Sequence, residues 1–304
     1  MKKTLVIIGA RGIGDLIYLL PLLRSLYKTH NQKLEILSNQ VNQAKEVYLN
    51  EDFYKGIKYF DNNRFNLYQT IKKIIDFKNL INTYKVDQLL LTSNATRLTI
   101  PVLLSNIPKK IILGQGKFLI NKDKSLDHLT MSEKLMIYTK KLRLSHKENN
   151  FFLNKKNLSK NENKLKNYFI SVDSHHDQNN WDIKYFVELI KSLKKYNKIY
   201  INFSPNKKKF LKAFPKEFFK SKKITFTYKR SISSIIKIIY SCDVVIGNES
   251  GPVCLASSLQ KKVHAIYLPI HTKPESKIIN KNNKYYNSKK LSPKMIIKKI
   301  IFYC

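Results

Sequence analysis

The chain has 304 residues, 43% of them apolar, which is enough for two hydrophobic cores of about 150 residues each. No run of about 18 apolar residues occurs, so we expect no membrane span. The three cysteines are widely spaced, which argues against a disulfide framework or zinc site and favours a reducing cytoplasm. The net charge of +36 favours polyanionic partners, but the lysine- and asparagine-rich composition of an A/T-rich genome explains such a charge equally well.

Short apolar runs alternate with helical patterns along the chain, which is typical of βα units and parallel sheets. An apolar helix is predicted from Asp15 to Lys28, with Pro21 near its first turns, where a proline costs least. The strand candidates of the first half are Thr4–Gly9, Leu34–Ser38, Ile57–Phe60, Gln88–Thr92 and Lys110–Leu113.

A polar stretch from about Ser145 to Asn167 predicts a linker, after which the alternation restarts. A last amphipathic helix is expected from Ser292, as N-cap, to Phe302. The remaining candidates are strands at Tyr168–Val172, Lys198–Phe203, Ile224–Tyr228, Asp243–Gly247 and Val263–Leu268, and helices at Ile183–Lys195, Ser231–Ser241 and Pro252–Leu259.

This pattern predicts an α/β protein with two Rossmann-like domains. They cover residues 1–150 and 168–290, with a linker over 151–167 and a C-terminal helix over 291–304. Open parallel sheets bind ligands at the carboxyl ends of their strands, so we expect both sheets to face an interdomain cleft with their loops.

The first candidate site is the glycine-rich turn from Gly9 to Asp15, which contains Arg11, Gly12 and Gly14. Glycines permit a tight turn, and the following helix points free N–H groups at that spot, which favours anions. The helix dipole stabilises the charged form of the Asp15 carboxylate. Asp15 is therefore either a helix cap or a group that accepts a proton.

The second candidate site follows the strand at Asp243–Gly247 and comprises Asn248, Glu249, Ser250, Gly251 and Pro252. A proline at the first helical position and a free helix N-terminus suit a diphosphate. Glu249 would accept hydrogen bonds from sugar hydroxyls, and Ser250 would bond a phosphate. The alternative is an ordinary turn in which Ser250 caps the helix.

The third candidate site lies after the strand at Tyr168–Val172 and includes Ser174, Asn180 and Trp181. Trp181 is expected to close one wall of a nucleotide pocket, or else to be a core residue at the start of a helix. Adjacent His175 and His176 rarely converge on one ion, so we expect no metal.

Together these motifs resemble the heptosyltransferases, glycosyltransferase family 9, which transfer heptose from ADP-heptose to the lipopolysaccharide inner core. The resemblance spans nearly the whole chain. It rests on Gly14-Asp15 followed by Leu-Pro21 and Leu-Arg24, on His128, and most strongly on Gly247-Asn-Glu-Ser-Gly-Pro-Val-Cys-Leu-Ala256, where the family reads roughly Gly-Asn-Asp-Ser-Gly-Pro-Met-His-Leu-Ala.

The resemblance implies a GT-B fold and inverting sugar transfer without a metal or cofactor, with the nucleotide sugar as co-substrate. Asp15 would be the general base, with Arg11, Gly12 and Gly14 on the acceptor side. The donor would meet Ser174, Asn180, Trp181 and the segment from Asn248 to Pro252. The acceptor would be an anionic glycolipid, in a cytoplasmic protein with peripheral contact at the inner face of the inner membrane and without nucleic acid as a partner.

Several positions depart from the family pattern. Asn179 and Asn180 stand where the family places Lys or Arg before the tryptophan, and we expect Lys184 or Lys273 to replace that cation. Glu249 and Cys254 replace an aspartate and a histidine, and Pro269-Ile270-His271 replaces a Gly-Pro-Thr loop. These departures leave open a transferase with a different nucleotide-sugar donor, and a catalytically silent polyanion-binding relative.

Overall fold

The computed structural model divides the chain into two compact units, Met1–Phe151 and Phe152–Cys304. The structure describes residues 2–9, 12–61, 67–93, 95–113, 133, 137, 139–140, 142–159, 166–174, 180–193, 198–267 and 279–303. Among them, no helix is both long enough and apolar enough to cross a membrane.

The first unit is built on a five-stranded parallel sheet in the order β3-β2-β1-β4-β5. All five strand predictions are confirmed, although β3 begins at Tyr54 instead of Ile57. Strands β1 and β4 are buried along their whole length, as expected where helices cover both faces of a sheet. The elements are β1 (Thr4–Ile8), α1 (Ile13–His30), β2 (Leu34–Asn39), α2 (Ala44–Val47), β3 (Tyr54–Phe60), α3 (Leu67–Asn82), β4 (Gln88–Leu91), α4 (Thr96–Leu103) and β5 (Lys109–Ile112).

Helix α1 differs from its prediction in the place of its proline. The helix begins at Ile13 and ends at His30, so Pro21 lies in its middle and the expectation that it falls near the first turns is wrong. A proline there leaves the carbonyl four residues earlier without its helical donor. The helix persists because ten of its residues, from Leu16 to Leu26, are buried, and packing of this kind supplies most helix stability.

The second unit is built on a six-stranded parallel sheet in the order β11-β10-β9-β6-β7-β8. The five predicted strands and the four predicted helices are confirmed to within a few residues, and β11 is an addition. The elements are β6 (Asn167–Ser171), α5 (Ile183–Leu193), β7 (Lys198–Asn202), α6 (Lys216–Lys220), β8 (Ile224–Phe226), α7 (Ile232–Ser241), β9 (Val244–Asn248), α8 (Gly251–Ser258), β10 (Lys262–Tyr267), β11 (Lys284–Asn287) and α9 (Pro293–Tyr303).

In both sheets the order in which successive strands are added reverses beside the first strand. In the first unit the chain moves outward on one side of β1 and then returns to pair β4 on its other side. The second unit repeats this order around β6, with β7 on one side and β9 on the other. Open α/β sheets bind ligands outside the carboxyl ends of the strands at such switch points. We therefore expect the ligand sites at the loops after β1, β4, β6 and β9.

Candidate active site

The turn after β1 lies at the first switch point and is held close to the loop after β4. A Cβ atom added to Gly9 would lie 2.4 Å from Cβ of Ser93 and 2.6 Å from a methyl group of Leu98. Gly9 is therefore needed for the close approach of these two segments. Arg11 lies outside the described residues.

Asp15 occupies the first turn of α1 and is half-buried. Its Oδ2 accepts a hydrogen bond from the backbone N–H of Gly12 at 3.1 Å, so the carboxylate does cap the helix. Gly12 is the exposed N-cap residue, and Gly14 lies within the first turn. The capping contact and a carboxylate at a helix N-terminus are compatible with a base, because the positive end of the dipole favours the charged form.

The start of α1 is fixed by contacts that the sequence did not reveal. The Tyr48 hydroxyl is buried and donates to the Leu16 carbonyl at 2.7 Å, and burial raises the pKa of this hydroxyl well above its usual range. Further along the helix, Arg24 pairs with both carboxylate oxygens of Glu51 at 2.7 and 2.9 Å. Arg24 also donates to the Asn150 carbonyl at 3.2 Å. The Leu-Arg pair noted in the sequence thus anchors α1 to the rest of its unit.

At the second switch point, Asn248 connects the loops after β6 and β9. Its side chain is fully buried; Oδ1 accepts the N–H of Trp181 at 2.8 Å, and Nδ2 donates to the Val172 carbonyl at 2.8 Å. The Asn180 side chain accepts the N–H of Ser174 at 2.6 Å and lies 3.5 Å from Nδ2 of Asn248. The structure therefore brings together Ser174, Asn180, Trp181 and Asn248. Asn180 and Asn248 contribute side-chain groups to these contacts, and Ser174 and Trp181 contribute their backbone N–H groups.

Trp181 belongs to the hydrophobic core of the second unit. Its side chain is 5% exposed and packs edge-on against Phe186, with ring centroids 4.9 Å apart, and at a tilt against Tyr185 at 5.4 Å. Of the two interpretations that the sequence left open, the structure favours the core residue.

The turn after β9 leads directly into α8. A Cβ atom added to Gly247 would lie 2.5 Å from the Ser171 carbonyl oxygen, so glycine permits the close pairing of β9 with β6. Glu249 donates its backbone N–H to the Ile266 carbonyl at 3.1 Å and is half-buried. Pro252 is the second residue of the helix, one position after the first helical position predicted for it.

Ser250 is the N-cap residue of α8, but its side chain makes no capping hydrogen bond. The Ser250 hydroxyl instead lies 3.3 Å from the hydroxyl of Ser171, at the end of β6. Two hydroxyl groups thus meet where the helix begins and the helix dipole is positive. The half-buried Gly251 places no side chain over this spot. A phosphate is the kind of ligand that such an arrangement binds.

A lysine that the sequence analysis missed lies at the same edge of the sheet. Lys207 follows β7, and its side chain is only 14% exposed. Its ammonium donates to the Ser174 carbonyl at 2.7 Å and lies 3.9 Å from Oδ2 of Asp173. That carboxylate also accepts the N–H and hydroxyl of Ser204 at 3.0 and 2.6 Å. Lys207 belongs to a run of three lysines, so nothing in the sequence singled it out.

Lys184, predicted to replace the missing cation, is exposed and engaged elsewhere. Its ammonium pairs with Asp182 at 3.2 Å and lies 4.9 Å from the centroid of the Tyr185 ring. Cys254, which replaces the family's histidine, is buried in α8. The other sequence predictions lie outside the described residues: His128, His175, His176, Asn179, Pro269, Ile270, His271 and Lys273.

Within the part of the chain that the structure describes, no group of three His, Cys, Asp or Glu residues could hold a metal ion. His264, in β10, is fully buried and lies 2.8 Å from the Tyr286 hydroxyl through Nδ1, with the two rings stacked. Burial, followed by the charges of Lys262 and Lys284, lowers the pKa of His264 to about 4. His264 is therefore a neutral structural residue at pH 7.

Solved structures with the same fold include three glycosyltransferases. The chain is 14% identical to a family 9 glycosyltransferase from Veillonella parvula, with a TM-score of 0.74 over 99% of this chain and 96% of that one. It is 14% identical to ADP-heptose lipopolysaccharide heptosyltransferase II of E. coli, with a TM-score of 0.72 over 99% and 98%. For E. coli heptosyltransferase WaaC with ADP-2-deoxy-2-fluoro heptose, the identity is 13% and the TM-score 0.73 over 99% and 100%. At such identities the likeness establishes the fold, which is that of the GT-B glycosyltransferases.

The sequence itself identifies the family. Residues 122–300 match the model of glycosyltransferase family 9 (heptosyltransferase), which is more than half of the chain. The protein therefore belongs to glycosyltransferase family 9 and is a glycosyltransferase, as the sequence resemblance implied. No curated protein sequence gives a significant match.

Proposed function

We propose that the protein is an inverting glycosyltransferase that moves heptose from ADP-heptose onto a lipopolysaccharide core or a related surface-glycan acceptor. The observation that carries this proposal is the switch point of the second sheet. There the N-terminus of α8, the Ser250 and Ser171 hydroxyls and the half-buried Lys207 lie at the carboxyl ends of β6, β7 and β9. Family membership and the likeness to a heptosyltransferase solved with an ADP-sugar support the choice of donor.

In this proposal the donor diphosphate lies against Ser250, Gly251 and Pro252, where developing negative charge is met by backbone N–H groups and a cation. Glu249 would accept hydrogen bonds from sugar hydroxyls. Asn248, whose polar atoms bond Trp181 and Val172, would act by positioning the loop that carries Ser174 and Asn180.

We further propose that Lys207 supplies the cation that the sequence lacks before Trp181. Its side chain is much less exposed than that of Lys184, 14% against 63%, so its charge is less screened by solvent. Each ammonium has a carboxylate neighbour, but Asp173 lies 3.9 Å from Lys207, whereas Asp182 lies 3.2 Å from Lys184. Lys207→Met is expected to weaken ADP binding at least about tenfold, the loss of one charge-assisted contact. Lys184→Met is the matched control and is expected to change binding less than about twofold. Equal effects of the two substitutions would contradict the assignment.

Asp15 is the proposed general base, with Arg11, Gly12 and Gly14 on the acceptor side. Asp15→Asn isolates this role, because the asparagine oxygen can still accept the Gly12 N–H that the carboxylate caps. Turnover is expected to fall by at least about a hundredfold, as loss of a general base does. ADP binding should stay the same, since Asp15 lies in the other unit from the proposed donor site.

A second candidate is a family member with a different nucleotide-sugar donor. It is favoured by Glu249 and Cys254, which stand where the family motif has an aspartate and a histidine. A thermal-shift series with ADP, UDP, GDP and CDP separates the two, because a ligand that binds the folded state raises the midpoint. A shift with ADP alone supports ADP-heptose, a shift with another nucleotide alone supports the second candidate, and no shift at all contradicts both.

A further inference from the structure

A basic cavity lies at the amino-terminal edge of the first sheet. It has a volume of about 580 Å³ and is lined by residues that precede or lie within β1, β2 and β3, and by residues that precede β4. Lys3 and Thr4 stand at the start of β1, Lys33 precedes β2, and Thr83 to Val86 precede β4. This is the edge opposite to Gly9 and Asp15, so the cavity is separate from the proposed acceptor side.

The charge of the cavity wall is strongly positive. Among the described residues that line it, Glu35 alone is acidic, and it pairs with Lys55 at 3.3 Å. Five lysines against one glutamate leave a formal charge of +4 on the lining residues. The five are exposed and come from four separate segments of the chain: Lys3, Lys33, Lys55, Lys58 and Lys85. Like charges gathered around a concave surface raise the local concentration of anions.

Tyr84 adds a hydrogen-bond donor to this wall. Lys58 lies over its ring, 5.4 Å from the centroid, and its hydroxyl is buried without a hydrogen-bond partner among the described residues. Burial and the charge of Glu35 raise the pKa of Tyr84, so the hydroxyl remains a donor. A buried polar group without a partner is costly, and a ligand oxygen would satisfy it once the side chain turned its hydroxyl into the cavity.

We propose that this cavity binds a phosphate-bearing anion, supplied either by an anionic lipid headgroup or by soluble phosphate. Phosphate fits because it carries several acceptor oxygens and multiple negative charge, which together match ammonium groups from several segments and one hydroxyl. The binding is independent of glycosyl transfer, and its test does not depend on the proposed function.

The experiment uses a pair of triple variants that lose the same charge. Lys33→Gln, Lys58→Gln and Lys85→Gln together lower the formal charge of the lining residues from +4 to +1. The control combines Lys198→Gln, Lys222→Gln and Lys284→Gln, which remove three exposed lysines at the same edge of the second sheet. A third variant with arginine at positions 33, 58 and 85 keeps the charge and checks that losses do not come from misfolding.

Binding of inorganic tripolyphosphate is measured by calorimetry. Binding to phosphatidylcholine vesicles with and without phosphatidylglycerol is measured by cosedimentation. The cavity variant carries the glutamine substitutions at positions 33, 58 and 85. In at least one of the two assays its affinity is expected to fall at least about tenfold, while the affinities of the control and the arginine variant change less than about twofold. Loss with tripolyphosphate identifies soluble phosphate, and loss with vesicles alone identifies a lipid headgroup. Absence of binding in both assays, or equal losses in the cavity and control variants, would overturn the proposal.

Discussion

Asn248→Ala removes the side chain that joins the loops after β6 and β9. Two fully buried backbone groups lose their partners, the Trp181 N–H and the Val172 carbonyl, each bonded at 2.8 Å. Leaving a buried polar group unsatisfied costs about 1.5 kcal/mol, so the free energy of unfolding should fall by about 3 kcal/mol. For a domain of about 150 residues this lowers the unfolding midpoint by about 6–12 °C.

The assay is the fluorescence of Trp181 during urea unfolding. Trp181 is the single tryptophan of the chain and lies in the core of the second unit, so its emission follows the part of the protein that carries the substitution. Asn282→Ala, at an exposed position, is the control and should change the free energy of unfolding by less than about 0.5 kcal/mol. A loss below about 1 kcal/mol for Asn248→Ala would refute the view that the two hydrogen bonds are buried and irreplaceable.

Three further substitutions test other parts of the structure by urea unfolding. Gly247→Ala forces a Cβ atom against the Ser171 carbonyl and should cost about 1–3 kcal/mol, and an unchanged free energy of unfolding would contradict the close pairing of β6 and β9. Arg24→Met removes the guanidinium partner of Glu51, whose side chain is only 5% exposed, and should cost about 3 kcal/mol, whereas a neutral result would contradict the buried ion pair. The pKa of His264 is lowered to about 4 in the folded state, so the unfolded chain binds the proton more tightly and stability is lost as pH falls from 6.5 to 4. At pH 5 that loss is about 2 kcal/mol, and His264→Gln should remove this part of the pH dependence; an unchanged pH dependence would contradict a neutral buried imidazole.

Much of the fold could be predicted from the sequence, because parallel strands that are buried on both faces consist of short runs of apolar residues. Strand β1, Thr4–Ile8, and strand β9, Val244–Asn248, are of this kind, and each is followed by a glycine-containing turn and a helix. Strand β11, Lys284–Asn287, was missed because it is polar, aromatic and only partly buried at the edge of its sheet. Pro21 was misplaced because sequence gives no measure of how far burial can offset a proline inside a helix.

The positions of the site residues were more predictable than their contacts. Asp15 and Ser250 stand at helix N-termini as expected, because glycine and proline mark these turns. The role of Trp181 could not be predicted, since a tryptophan side chain is equally common in a hydrophobic core and in the wall of a ligand pocket. Lys207 could not be found, because its burial depends on contacts with Asp173 and Ser174, which are distant in sequence, and not on its own neighbours in sequence.

The central claim is that the protein transfers a sugar with Asp15 as base. The most direct test follows ADP release from ADP-heptose in the presence of lipopolysaccharide truncated before its heptose residues. It compares the unchanged protein with Asp15→Asn, while calorimetry measures ADP binding. The account predicts acceptor-dependent ADP release that falls at least about a hundredfold in Asp15→Asn with ADP affinity unchanged. Normal turnover by Asp15→Asn, or no release by a protein that binds ADP, would contradict it.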